Sequence, residues 1–383
     1  MSDRKEIVIV GMLNSIHLAR WVTQFASEPV DFVLIPSTPF KAVHPLILEA
    51  QEGSKRSDAT FELVGHPVFH SKLIWLADRL FGLRIRGRVL AKILGRRNPD
   101  FLHVLELQNA GYLVLDALVS WRKLKTEIIL TNYGSDIYWF QQFPGHLTRI
   151  KALLSIANRY SAECERDVDL ALDYGFQGRV LPVIPNAGGF PVEELSRTTE
   201  LPKARKTLMI KGYDGWVGRA RLALEAVASL QNELRDYEIV VYSADRTTLK
   251  RVASLKKITG LRISVFKKNS ISHDQMMEKF RQAKLYIGIS LSDGISTSLL
   301  EALVSGCIPI QTSTACTERW FADGVEGVVV KDFEVQTIVS AIRSGMNIAD
   351  KRTREDVTEL QSKLSGKLSE RNVFQLARTY YEA

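Results

Sequence analysis

Short runs of β-branched and aliphatic residues alternate with stretches of helical periodicity along nearly the whole chain. No other feature constrains the fold as strongly. Parallel strands need a crossover of a dozen or more residues, so this alternation is the mark of βαβ units around parallel sheets. In the first half it predicts strands at 7–10, 32–35, 101–105, 128–131 and 180–184, with helices over 15–26, 73–94, 111–121 and 147–157. The second half repeats the scheme, with strands at 207–211, 237–242, 262–266, 285–289, 308–311 and 328–330.

A chain of 383 residues is too long for one ordinary domain. Its 45% apolar content is enough to build two cores and excludes a disordered or collagen-like chain. The breaker-rich Pro182-Val-Ile-Pro-Asn-Ala-Gly-Gly-Phe-Pro191 marks the seam, and the polar stretch 196–206 after it reads as surface loop. We therefore expect an α/β chain with two doubly wound, Rossmann-like parallel-sheet domains facing across a cleft. The first spans 1–184 and the second 185–365, and a C-terminal helix over 366–383 packs back on the first. Ligands of such sheets bind beyond the carboxyl ends of the strands, so the loops after strands carry the chemistry.

The strongest such loop is Ser290-Leu-Ser-Asp-Gly-Ile-Ser-Thr-Ser-Leu-Leu-Glu301, followed by Ala-Leu-Val-Ser-Gly-Cys-Ile-Pro-Ile. Gly294 lets backbone approach a ligand, and the amides and positive dipole end of a helix starting near Ser296 suit a diphosphate. The carboxylates of Asp293 and Glu301 accept from vicinal hydroxyls, which ribose and hexoses supply. Ser298-Leu-Leu-Glu301 also spells a capping box, in which Glu301 only closes the helix start, and the sequence leaves both readings open. After the strand at 207–211 comes Met209-Ile-Lys-Gly-Tyr-Asp-Gly-Trp-Val-Gly-Arg219. A fixed Lys211 and Arg219 there would stabilise charge building on a leaving phosphate, although an Arg at a helix start is also an ordinary surface residue.

An acid, seven residues, Glu, then Ala, a small residue, Gly and Pro-Ile resembles the donor-binding signature of the family 4 retaining glycosyltransferases of GT-B fold, with Asp293 where Glu is usual. The resemblance implies a donor site in which Glu301 holds the ribose. Asp293, with Gly294, Ile295, Ser296 and Thr297, would hold the transferred sugar and diphosphate. It makes Lys211, Arg219 and Asp293 the catalytic set. On the acceptor or sugar side it points to Asn14 and His17 in Gly11-Met-Leu-Asn-Ser-Ile-His17, to His103 in Asp100-Phe-Leu-His103, and to Gly134 and Asp136 in Thr131-Asn-Tyr-Gly-Ser-Asp136. A lone His at a strand end is also a common structural residue.

The implied substrates are a nucleotide-sugar donor and a saccharide or lipid-linked saccharide acceptor, in surface polysaccharide or glycolipid assembly, with no cofactor. No CxxC spacing or HExxH appears, and Pro67 spoils the His66–His70 pair, so no metal is expected. The sequence also admits another GT-B enzyme, a nucleotide-sugar epimerase or phosphorylase, and a non-catalytic nucleotide-sugar-binding protein.

The formal charge of +8 favours anionic partners. No nucleic-acid module is recognisable, so nucleic acid is not among the expected partners. Much of the excess falls at 75–97, where basic residues interleave with Leu, Ile, Val and Phe. That pattern fits a basic amphipathic helix on anionic lipid, and equally a core-packed helix with a solvated face. Without an apolar leader or an 18-residue apolar run, a cytoplasmic protein, peripheral at most on the inner face of the cell membrane, is expected.

Overall fold

The computed structural model describes residues 4–53, 58–121, 125–193, 200–268, 270–322 and 324–382. The chain divides into two compact units, Met1–Gly189 with Arg371–Ala383, and Phe190–Glu370. Both lie within the α/β class that the alternation demands.

In the first unit the strands are β1 (Lys5–Gly11), β2 (Val30–Pro36), β3 (Thr60–Leu63), β4 (Phe101–Leu105), β5 (Glu127–Thr131), β6 (Arg159–Ser161) and β7 (Arg179–Val180). They form a parallel sheet in the order β3-β2-β1-β4-β5-β6-β7. Strand side chains alternate between faces, so a sheet covered on both sides must be apolar at every position. In β1, Val8 and Val10 enter one core with Leu102 and Val104. Ile7 and Ile9 enter the other with Phe32, Leu34 and Trp21.

The second unit repeats the plan with β8 (Thr207–Lys211), β9 (Glu238–Ala244), β10 (Arg262–Lys267), β11 (Ala283–Gly288), β12 (Ile308–Thr312) and β13 (Val328–Val330). Their order is β10-β9-β8-β11-β12-β13, again parallel. Leu208 and Ile210 face one core and Met209 the other. The order reverses between β8 and β11, which puts the switch-point loops at 212–219 and 289–297.

Several elements differ from expectation for local reasons. The sequence reading misses β6 because Arg159-Tyr-Ser is polar in type. Its Arg159 is nevertheless buried, satisfied by Glu127 at 2.6 Å, by the Tyr380 carbonyl at 3.0 Å and by the face of Phe101. The expected helix over 73–94 is two, Lys72–Phe81 and Ile85–Arg97. Gly82 stops the first in the left-handed region at φ 62°, and the Asp78 carboxylate caps the second by accepting from the amides of Ile85 and Arg86. The tail does not pack on the first unit from 366: Leu360, Leu364 and Leu368 of helix Arg354–Leu368 enter a core of the second unit. Val373, Ala377, Tyr380 and Tyr381 enter the first. The expected loop 196–206 lies outside the described residues as far as 199. Among the described residues no helix is long and apolar enough to cross a membrane.

Candidate functional site

In the second unit the two switch-point loops are bound to each other. Gly218 and Ser290 form an antiparallel bridge, the Arg219 amide donates to the Ile289 carbonyl at 2.9 Å, and the Leu291 amide donates to Val217 at 2.7 Å. Only glycine fits at 218, where a Cβ would stand 2.0 Å from the Tyr213 carbonyl oxygen. The Arg219 guanidinium turns back on this loop, donating to the carbonyls of Gly215 at 3.1 Å and Gly218 at 2.6 Å. It is thus half-buried and braced, unlike a solvated surface arginine.

Lys211 leaves the carboxyl end of β8 and reaches the other loop. Its Nζ lies 3.2 Å from Ser296 Oγ and 3.7 Å from Asp293 Oδ2. Burial pulls the ammonium pKa down, but Asp293, then Tyr286 and Glu301, outweigh that and leave it raised, so Lys211 stays charged. Asp293 also accepts from the Gly294 amide at 3.1 Å.

The helix Thr297–Val304 begins at Ser296, which makes no side-chain cap. The Ser298–Glu301 capping box is therefore not formed, because the helix starts too early for Glu301 to occupy the third position. Among the described residues the amides of Ile295, Ser296, Thr297 and Ser298 make no hydrogen bond. A helix start leaves such donors over, and they cost free energy if they stay unsatisfied. Glu301 is buried, and its Oε1 is 2.8 Å from His273 Nε2, while Oε2 makes no hydrogen bond among the described residues. The structure thus brings together Lys211, Asp293, Gly294 and Ser296. It leaves Glu301 on the same helix with His273 as an added partner.

In the first unit the loops after β1, β4 and β5 share the carboxyl edge of one sheet. Asn14 is exposed, and the His17 ring lies 5.4 Å from that of Tyr133, just before Gly134. Gly134 has φ 92°, a left-handed value that glycine tolerates, and it starts the turn that buries Asp136. Asp136 accepts from the amides of Leu107 at 3.0 Å and Tyr133 at 3.3 Å. Glu106, also buried, accepts from Asn109 at 2.7 Å and Ala110 at 2.6 Å. Burial raises both carboxyl pKa values, and Asp136 pushes Glu106 higher.

His103 does not join this set. Its ring is buried, with Nδ1 2.7 Å from Tyr381 Oη and Nε2 2.7 Å from Thr131 Oγ1, and burial lowers its pKa to about 3. The ring is a neutral core link whose two nitrogens are both used, so the expectation of an acceptor-side His103 fails.

Residues 192–359, inside the second unit, match the sequence model of the glycosyl transferases group 1 family. No curated protein sequence matches the chain. Sucrose-phosphate synthase from Thermosynechococcus elongatus superposes with a TM-score of 0.69 at 12% identity, over 98% of this chain and 98% of that one. Anabaena Alr3699/HepE, solved in complex with UDP-glucose, gives a TM-score of 0.68 at 13% identity, over 99% of this chain and 100% of that one. The fold is GT-B. In this GT-B chain the Lys211–Asp293 pair and the open helix start lie in the unit that carries this match, and the Glu106–Asp136 set in the other.

Two residues of interest escaped the sequence reading. His273 sits at the start of helix His273–Gln282 behind a capping box of Ser272 and Gln275, and nothing local links it to Glu301. Glu106 carried a signal as the first residue beyond β4, but its φ of 82°, unusual for a non-glycine residue, shows only in the structure.

Proposed function

We propose that this GT-B chain transfers a sugar from a nucleoside-diphosphate donor to an acceptor hydroxyl, with retention of anomeric configuration, in the assembly of a saccharide or lipid-linked saccharide. The observation that carries the reading is the set of four unpaired amides at Ile295–Ser298 beside the Lys211 ammonium. Unpaired helix-start amides with a fixed cation suit a diphosphate. The group 1 match over the same residues supports this, as does UDP-glucose in the structural neighbour HepE.

In the proposed reaction the bond between the anomeric carbon and the β-phosphate oxygen breaks, and a bond from that carbon to the acceptor oxygen forms. The leaving diphosphate takes the acceptor's proton. Negative charge grows on the β-phosphate as the bond breaks, and Lys211 with the amides meets it. Arg219, braced on its own loop, adds a second fixed positive charge. Glu301 offers Oε2 to the ribose hydroxyls while His273 holds Oε1, and Asp293 orients the sugar. Asp136 and Glu106 shape the loops of the first unit, where Asn14, His17 and Gly134 form the acceptor side. Positive charge at the diphosphate comes from the protein itself in this scheme, so chelator should leave turnover unchanged.

A thermal-shift panel of UDP-, GDP- and dTDP-sugars, followed by assay of nucleoside diphosphate release with and without candidate acceptors, tests the proposal. It expects one donor class to stabilise the fold and to be consumed when an acceptor is present. Glu301→Ala should cut turnover by roughly two orders of magnitude with the fold retained. Donor binding without release of diphosphate would replace the reading with a non-catalytic one. Conversion of donor without acceptor would point to epimerisation.

A further inference from the structure

We propose that the hairpin formed by helices Lys72–Phe81 and Ile85–Arg97 docks the first unit on an anionic lipid bilayer. Helix Lys72–Phe81 has no buried residue. Leu73 is 81% exposed, Leu80 64% and Phe81 74%, and Leu76 and Leu83 at 44% complete the patch. Single exposed leucines are ordinary, but five large apolar side chains on one short stretch are not. At about 100° per residue, Leu73, Leu76, Leu80 and Phe81 fall on one arc of the helix, with Lys72 and Arg79 along its border.

Charge decides the kind of occupant. From Ser71 to Asn98 the chain has eight basic residues and a single acid, Asp78. Asp78 accepts from the amides of Ile85 and Arg86, and with its charge counted the stretch still carries a formal +7. Lys72, Arg79 and Arg88 are exposed around the apolar tip, and Arg84, also exposed, is paired with Asp116 at 3.7 Å. An apolar strip bordered by cations matches lipid headgroups over acyl chains, where apolar side chains sink and Lys and Arg stay among phosphates.

The hairpin is also rigidly mounted. Arg86 is buried, donates to the carbonyls of Pro36 at 3.2 Å and Ser37 at 2.7 Å, and lies over the Phe69 ring. This clamp fixes the start of the second helix at the carboxyl end of β2, on the sheet edge that also carries the Gly11–His17 loop. It also means that Arg86 is not part of the lipid-facing charge. The bilayer surface would thus lie on the same edge as the proposed acceptor loops, as a lipid-borne acceptor requires. The docking itself does not depend on the sugar-transfer reading.

The test is sedimentation of the full chain with vesicles of phosphatidylcholine alone and of phosphatidylcholine mixed with phosphatidylglycerol. Wild type should sediment with the mixed vesicles and not with phosphatidylcholine alone. The double variant Leu80→Glu/Phe81→Glu should lose binding at least about tenfold, because it puts two charges where apolar area entered lipid. Both side chains are exposed, so the thermal midpoint should stay at the wild-type value. A wild type that stays in the supernatant with anionic vesicles would overturn the proposal, as would a double variant that binds equally well. The donor thermal-shift panel needs no lipid, so the two proposals fail separately.

Discussion

Replacing Lys211 by Met tests the proposed chemistry most directly. The ammonium lies 3.7 Å from Asp293 Oδ2 and 3.2 Å from Ser296 Oγ, and its side chain is about a third exposed. One unit charge developing at about 4 Å is worth about 1 kcal/mol in bulk water and about 4 kcal/mol at the effective dielectric of a protein surface. A partly exposed site falls between these, so about 2–3 kcal/mol of transition-state stabilisation rests on this group. At 1.36 kcal/mol per decade that predicts a fall in kcat of about 30- to 150-fold. The charge already on the bound diphosphate also feels Lys211, so affinity should weaken as well, but by less than kcat. The assay is initial-rate release of nucleoside diphosphate at saturating donor, paired with calorimetric binding of the same nucleotide. Removing Lys211 takes away the ammonium beside Asp293, so Lys211→Met/Asp293→Asn serves as the control for the changed carboxylate. A single variant that keeps kcat within about threefold of wild type at an unchanged thermal midpoint would refute the electrostatic argument.

Gly218→Ala should cost about 1–3 kcal/mol in a denaturant melt, because its Cβ meets a backbone carbonyl that cannot swing aside; an unchanged midpoint would mean that the two loops are not held as described. His103, whose pKa is lowered to about 3 in the fold, binds fewer protons folded than unfolded from about pH 6.5 down to that value. Stability should therefore fall as pH drops through this window, by up to about 1.4 kcal/mol per pH unit from this group. His103→Gln should be less stable at neutral pH yet show a shallower acid slope, and an equal slope in both proteins would contradict a buried neutral imidazole. His273→Ala, which frees Glu301 Oε1, should weaken nucleotide binding by roughly three- to tenfold in calorimetry while leaving kcat nearly intact; no change in affinity would remove His273 from the support of the donor site.

Strands buried on both faces read plainly in the sequence, because runs such as Ile7-Val-Ile-Val and Leu208-Met-Ile admit few other environments. The loop ahead of helix Thr297–Val304 was legible as a turn into a helix for a related reason: Gly294 and the serines ahead of an apolar helix state a backbone conformation locally. What the sequence hid are arrangements made by distant partners. Arg159-Tyr-Ser becomes a strand only because Glu127 and the chain end satisfy its arginine. His103 looked like a loop ligand because its two partners, Thr131 and Tyr381, are far away along the chain. The basic segment at 75–97 showed its periodicity but not its break, since the cap that splits it comes from Asp78, seven residues before Ile85.

Tyr381 holds His103 across 278 positions and the Trp21 indole across 360. The first unit thus lacks a piece of its own interior until Tyr380 and Tyr381 have been made. A fragment ending at Gly189 would expose the aromatic slot that Tyr380 and Tyr381 fill, and should be poorly behaved unless the final segment is grafted back.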